Sequence, residues 1–94
     1  MAEPVASFRL NPRVRFRAVG DEGVVVQIEN SEVIVVNNVG LRILDLIREG
    51  GNTIAGIVAS LQDDYQVTPD QLQQDVTRYV VDLRKHNVLQ SWSI

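Results

Sequence analysis

The sequence predicts a segregated α+β domain, a three-stranded antiparallel sheet followed by three helices. Three observations point there. β-branched runs with a two-residue period crowd the region up to Val36, and apolar residues at helical spacing fill the region after it. Thr68-Pro69-Asp70-Gln71 then marks a helix start, with an N-cap, a proline at the first helical position and a capping-box glutamine.

Taken in order, residues 1–12 hold Pro4 and Pro12, show no period and form an N-terminal arm. Val14, Phe16 and Ala18 alternate with Arg13, Arg15 and Arg17, the pattern of a half-buried first strand. Gly20-Asp21-Glu22-Gly23 is a turn. Val24 to Glu29 and Glu32 to Asn37 are the arms of a hairpin joined by Asn30-Ser31. A two-residue connection pairs Ile28 with Val33 and Val26 with Val35. Val24, Val26, Ile28, Val33 and Val35 then share one face, expected to be the core face. Val25, Ile34 and Val36 point outward beside Gln27, Glu29 and Glu32, where the arginines of the first strand would neutralise the glutamates.

Asn37 or Asn38 caps a first helix that carries Val39, Ile43, Leu46 and Ile47 and ends at Gly50-Gly51. Thr53 caps a second, with Ile54, Ile57, Val58 and Leu61 on one face. After the link Asp63–Val67, the third helix buries Leu72, Val76, Tyr79, Val80 and Leu83 and stops near His86-Asn87. Val88 and Leu89 pack back. The expected organisation is an arm over 1–12, one domain over 13–89 and a tail over 90–94.

With 94 residues there is room for one core, and an apolar fraction of 45% is ordinary for a globular chain. The lack of cysteine excludes disulfides, thiolate zinc sites and cysteine nucleophiles. Met1-Ala2-Glu3-Pro4 has no signal-peptide layout, and no apolar run reaches the ~20 residues that span a bilayer. A soluble, cytoplasmic protein with no membrane partner is expected. A net charge of −3 argues against a general affinity for nucleic acid. The charge is uneven: Arg9, Arg13, Arg15 and Arg17 cluster early, while Asp63, Asp64, Asp70, Asp75 and Asp82 lie in the C-terminal half.

No catalytic constellation can be assembled. His86 is the single histidine and suits a helix C-terminus. Asp63-Asp64 reads as a solvated turn, because two adjacent acids make a poor cation site. Gly50-Gly51 reads as helix punctuation, since no P-loop lysine accompanies it. The serines lack a base and an orienting group. The chain is expected not to be an enzyme and to hold no cofactor and no metal. What stands out instead is the third strand, Glu32 to Asn37, which has no Pro, Lys or Gly to blunt it. As a sheet edge it offers unpaired N–H and C=O groups to an extended peptide.

The stretch Val35-Val36-Asn37-Asn38-Val39-Gly40-Leu41-Arg42-Ile43-Leu44 resembles the strand-to-helix junction of the PqqD-like family. So do Gly50-Gly51-Asn52-Thr53-Ile54, Leu61-Gln62-Asp63-Asp64-Tyr65, Gln74-Asp75-Val76 and Leu83 through Leu89, in that order and spacing, over roughly residues 8–89. The resemblance implies a winged-helix-like peptide-recognition domain of the kind called a RiPP recognition element. Such a domain binds the leader of a ribosomally made precursor peptide and presents it to a modifying enzyme. In the founding members that enzyme is a radical S-adenosylmethionine enzyme of pyrroloquinoline quinone synthesis. The resemblance also implies that the leader adds to the third strand and lies between that strand and the third helix. Asn87 stands where relatives often carry glycine, and asparagine tolerates the same left-handed conformation.

The expected peptide-binding residues are therefore Glu32, Val33, Ile34, Val35 and Val36 on the strand, with Asp75, Tyr79 and Asp82 on the helix and Arg78 at its margin. The opposite flank, Gln73, Thr77, Val80 and Arg84, is the alternative wall of the groove. Val81, Ile34 and Val36 are expected as exposed apolar residues, either ordinary isolated ones that need no role or, taken together, a surface for self-association as a homodimer or for enzyme docking. Two rival readings share the fold: a winged-helix DNA-binding module, disfavoured by the acids of the third helix, and a structural dimerisation subunit.

Overall fold

Two short sheets and three helices make up the computed structural model, which describes residues 7–50 and 53–92. Pro4, Gly51, Asn52 and Ile94, on which parts of the expected arm, helix punctuation and tail rest, lie outside the described residues. The strands are β1 (Ser7–Leu10), β2 (Val14–Val19), β3 (Glu22–Gln27), β4 (Glu32–Val36) and β5 (Leu89–Trp92). The helices are α1 (Asn38–Arg48), α2 (Ile54–Gln62) and α3 (Pro69–Lys85).

The central sheet runs β2-β3-β4, antiparallel throughout. The expected sheet and the three helices are present, and two further strands join them. Part of the expected arm is β1, which pairs antiparallel with β5 from the expected tail, Phe8 opposite Ser91 and Leu10 opposite Leu89. Four-residue strands carry too little periodicity to announce themselves; their pairing depends on the chain ends meeting in space. Phe8 and Leu89 are both buried in the core.

The face of the hairpin is the opposite of the one expected. Val24, Val26, Ile28, Val33 and Val35 do share a face, but it is the outer one, and Val25, Gln27, Ile34 and Val36 turn inward. The connection is also longer than two residues. Gln27 lies opposite Glu32 and Val26 opposite Val33, so Ile28 to Ser31 form the turn, closed by the Ser31 amide donating to the Ile28 carbonyl at 3.2 Å. Ser31 sits at φ 53°. Two features of the inner face account for the inversion. Gly23 lies under α1, where an added Cβ would be 2.8 Å from Val36 Cγ2 and 3.1 Å from Leu41 Cδ1, so only a residue without one lets helix and sheet meet this closely. Gln27, fully buried, has both ends of its amide satisfied: Nε2 donates to the Asn87 carbonyl at 2.6 Å, and Oε1 accepts from the Glu29 amide at 2.8 Å.

The expected neutralisation of Glu29 and Glu32 by the β2 arginines is replaced by other contacts. Glu29 accepts from Asn11 Nδ2 at 2.9 Å, and Glu32 lies 2.9 Å from His86 Nδ1. Arg15 Nη1 instead donates to the Pro12 and Val14 carbonyls, both at 3.0 Å.

Each helix starts at a side-chain cap. Asn37 accepts from the Gly40 amide, Thr53 from Gly56 and Thr68 from Gln71. The capping box at Thr68 is half made, because Gln71 Nε2 reaches forward to Asp75 Oδ1 at 3.0 Å. α3 ends at His86, and Asn87 at φ 61° turns the chain into β5. Ile43, Leu44, Ile47, Ile57, Leu61, Leu72, Val76, Val80, Leu83 and Val88 fill the core between the helices and the inner face of the sheet. Tyr79 is only partly buried at its edge.

Gln27→Ala removes a buried hydrogen-bond pair and leaves a hole. It is expected to cost about 2 kcal/mol, read as a lowered urea midpoint with an unchanged slope.

Candidate functional site

The chain passes from β4 directly into α1 through Asn37, and α3 crosses beside that junction. Between β4 and α3 lie two adjoining depressions of about 410 and 350 Å³, with Asn37, Tyr79 and Asp82 common to both. They form one groove. Asp75, Arg78 and Val39 line the end near the start of α1, and Ile34, Val36, Leu83 and His86 line the other.

β4 is an edge strand, with β3 on one side and no strand on the other among the described residues. Its outward groups can therefore hydrogen-bond to an extended chain laid alongside. Side chains alternate across this edge. Glu32, Ile34 and Val36 share the face toward the helices, whereas Val33 and Val35 lie on the outer face. The structure thus brings Ile34, Val35, Val36, Asp75, Arg78, Tyr79 and Asp82 to the lining of one groove. Glu32 stands at its end, held to His86, and Val33 faces away from the helices. The alternative flank behaves differently: Val80 is in the core, while Gln73 and Thr77 line a separate surface depression with Asp70.

Asn37, Val39, Leu83 and His86 also line the groove and were not among the expected site residues. Asn37 has two tasks. Its Oδ1 accepts from the Gly40 amide at 3.0 Å, capping α1, and also accepts a short hydrogen bond from the Tyr79 hydroxyl. A single amide oxygen thus joins the strand end, the start of α1 and the middle of α3. Its sequence signal was the N-cap, which says nothing of a partner 42 residues on.

Gly40 completes this arrangement. A Cβ there would lie 2.8 Å from Val36 Cβ and 3.0 Å from Tyr79 Cε1, so its hydrogen lets α1 close on both the strand and the tyrosine ring. Burial raises the Tyr79 pKa above the ordinary value of 10.0, and the Asp75 carboxylate adds to the rise. The phenol therefore stays protonated, as a donor, across the neutral range.

No group of three or more potential metal ligands occurs among the described residues. Asp64, one of the adjacent acids, is engaged by Arg42 at 2.7 Å. No helix among the described residues is long and apolar enough to cross a membrane.

The family model for PqqD, coenzyme PQQ synthesis protein D, matches residues 22–89. The chain belongs to the PqqD family. The match runs from the start of β3 to the first residue of β5 and so spans the whole groove. Comparison with curated proteins found no match. Among solved structures, "TbiB1 in Complex with the TbiA(beta) Leader Peptide" is similar at 21% identity and a TM-score of 0.80, covering 92% of this chain and 99% of that one. "Lasso peptide synthetase B1 complexed with the leader peptide" is similar at 19% identity and a TM-score of 0.77, covering 88% of this chain and 96% of that one. At these identities the likeness is one of fold: the α+β arrangement of this PqqD-family chain is that of the two neighbours.

Gly40→Ala should lower stability by about 1–3 kcal/mol, because overpacking outweighs the gain in helix propensity. Tyr79 ring resonances should shift with it, which a two-dimensional NMR spectrum reads directly. The sign for Tyr79 is that of an acid with a raised pKa. Its neutral form is stabilised by folding, and that contribution is lost only as pH climbs through the folded value, above 10.0. An absorbance titration of the wild type minus Tyr79→Phe should place the missing phenol above that point.

Proposed function

We propose that this chain is a non-catalytic peptide-recognition module that takes the leader of a ribosomally made precursor peptide as an added strand on β4. The observation that carries the reading is the pairing of an open strand edge with a groove alongside it, walled by one flank of α3. Main-chain hydrogen bonds along residues 32–36 supply affinity with little selectivity. Selectivity falls to the groove. Ile34 and Val36 offer an apolar floor, Tyr79 an aromatic contact with its hydroxyl already tied to Asn37, and Asp75, Asp82 and Arg78 a charged margin.

Membership of the PqqD family supports this reading, as do two structural neighbours that are themselves complexes with leader peptides. The family also suggests the recipient: a peptide-modifying enzyme, with a radical S-adenosylmethionine enzyme as the first class to test. In this scheme the module does no chemistry. It raises the local concentration of the precursor at the enzyme and fixes the direction in which the peptide is presented.

The test is a titration of isotope-labelled protein with synthetic leader peptides from precursor genes beside its own. Amide shifts should concentrate on residues 32–37 and 75–82. N-methylation along a binding peptide should weaken it at alternate positions, the signature of strand pairing. Binding that is indifferent to N-methylation, or no shift with any such leader, would defeat the proposal.

A further inference from the structure

The register of the sheet fixes which main-chain groups of β4 are free. Ile28 donates its amide to the Arg13 carbonyl at 3.1 Å, so these two opposed residues are a hydrogen-bonded pair of the β2–β3 ladder. Such pairs alternate along antiparallel strands. Val26 and Val24 therefore also face β2, while Gln27, Val25 and Gly23 direct their amides and carbonyls toward β4. Their partners Glu32, Ile34 and Val36 are engaged within the sheet, and the outward groups of the β4 edge belong to Val33 and Val35. Val35 lines the groove although its side chain is exposed on the outer face, consistent with an outward-facing main chain there. The other edge of the sheet is partly closed: the Val14 amide donates to the Asn11 carbonyl, and Arg15 Nη1 donates to the Val14 carbonyl, each at 3.0 Å.

A strand laid along β4 pairs with Val33 and Val35, and its side chains beside Ile34 and Val36 lie on the helix side. Two contacts define their surroundings. Glu32 meets His86 and Asn37 meets Tyr79, so α3 runs antiparallel to β4 across the groove. Leu83 and His86 thus lie toward Ile34, and Tyr79 toward Val36, with Asp82 between them along the helix. The charge at that point is not neutralised from within the chain. The ion pairs among the described residues join Arg42 to Asp64, Arg48 to Asp45 and His86 to Glu32, and none of them takes in Asp75, Arg78 or Asp82. Arg78 is shared with the neighbouring depression that Asp70 lines, whereas Asp82 belongs to both halves of the groove.

Resting on the leader-binding reading, we propose that the groove selects leaders that place an apolar side chain beside Ile34 and, two residues away, a lysine or arginine beside Val36. Ile34 and Leu83 receive the apolar group. The basic residue lays its methylene stem along Val36 and the Tyr79 ring and carries its cation to Asp82, with Asp75 further along the helix. Asp82 is then the residue that determines specificity. A leader glutamate in the same place would meet carboxylates and lose its hydration with no gain. Main-chain pairing at Val33 and Val35 is indifferent to leader side chains, so discrimination between leaders falls to this one charge and the apolar contact before it.

Three short threonine-rich peptides test it, each with a single Leu-Thr-X unit in which X is lysine, norleucine or glutamate. They are titrated against the full chain by fluorescence anisotropy. Affinity should fall in that order, the lysine peptide binding roughly fivefold or more tighter than the glutamate one at low salt, and the gap should shrink as salt rises. Asp82→Lys should reverse the order. Arg84→Gln, on the opposite flank of α3, should preserve it, which separates a local contact from an effect of net charge. Equal binding of the lysine and glutamate peptides, or an order that survives Asp82→Lys, would overturn the inference and leave strand addition standing. No binding by any of the three would defeat strand addition on β4 itself, and the inference with it.

Discussion

The carbonyl oxygen of Asn87 holds this fold together at the point where sheet, helix and chain ends meet. It accepts from Gln27 Nε2 at 2.6 Å and from Asn11 Nδ2 at 2.8 Å, so one atom ties β3 and the β1–β2 junction to the end of α3. The left-handed conformation of Asn87, φ 61°, is what turns the last helix into β5. Asn11, only 2% exposed, completes the connection: its Oδ1 accepts from the Arg13 amide, and its own amide donates to the Val88 carbonyl. Buried amides are costly when unpaired and orienting when paired, and here both Asn11 and Gln27 are fully engaged.

From that junction the groove follows. With Gln27 directed inward, the two-residue period of the hairpin sends Val25, Ile34 and Val36 toward the helices and Val33 and Val35 away from them. α1 can then close on the sheet at Gly23 and Gly40, where no Cβ intervenes. Asn37 uses that proximity to cap α1 and to hold Tyr79 in the same stroke. The floor, the wall and the open edge of the groove are three consequences of one choice of face. The same choice exposes Val26, Val33 and Val35 on the other side of the sheet.

Part of this was legible in the residues. The three helices, their caps at Asn37, Thr53 and Thr68, and the stop at His86-Asn87 are local matters, decided within a turn or two by capping chemistry and apolar spacing. The edge character of β4 was legible too, because an absence of blunting residues is a property of the segment itself. Helical geometry offered two flanks of α3 without choosing between them; the one carrying Asp75, Tyr79 and Asp82, favoured for an aromatic residue beside acids, is the flank beside β4.

The side of the hairpin that faces the core was not legible. Each face carries apolar β-branched residues, three on one and five on the other, so hydrophobicity alone favoured the wrong one. Only when Asn87, some sixty positions away, came to lie under Gln27 did burying a glutamine become favourable. The strands β1 and β5 were hidden for a similar reason, each being too short to form without the other. By itself, then, the sequence determined which segments are helices, where they begin and end, and which strand is left unblunted at the edge. The tertiary structure decided which face is core, what closes the chain ends and which side chains share the groove, because those outcomes rest on hydrogen bonds and close approaches between residues far apart in the chain.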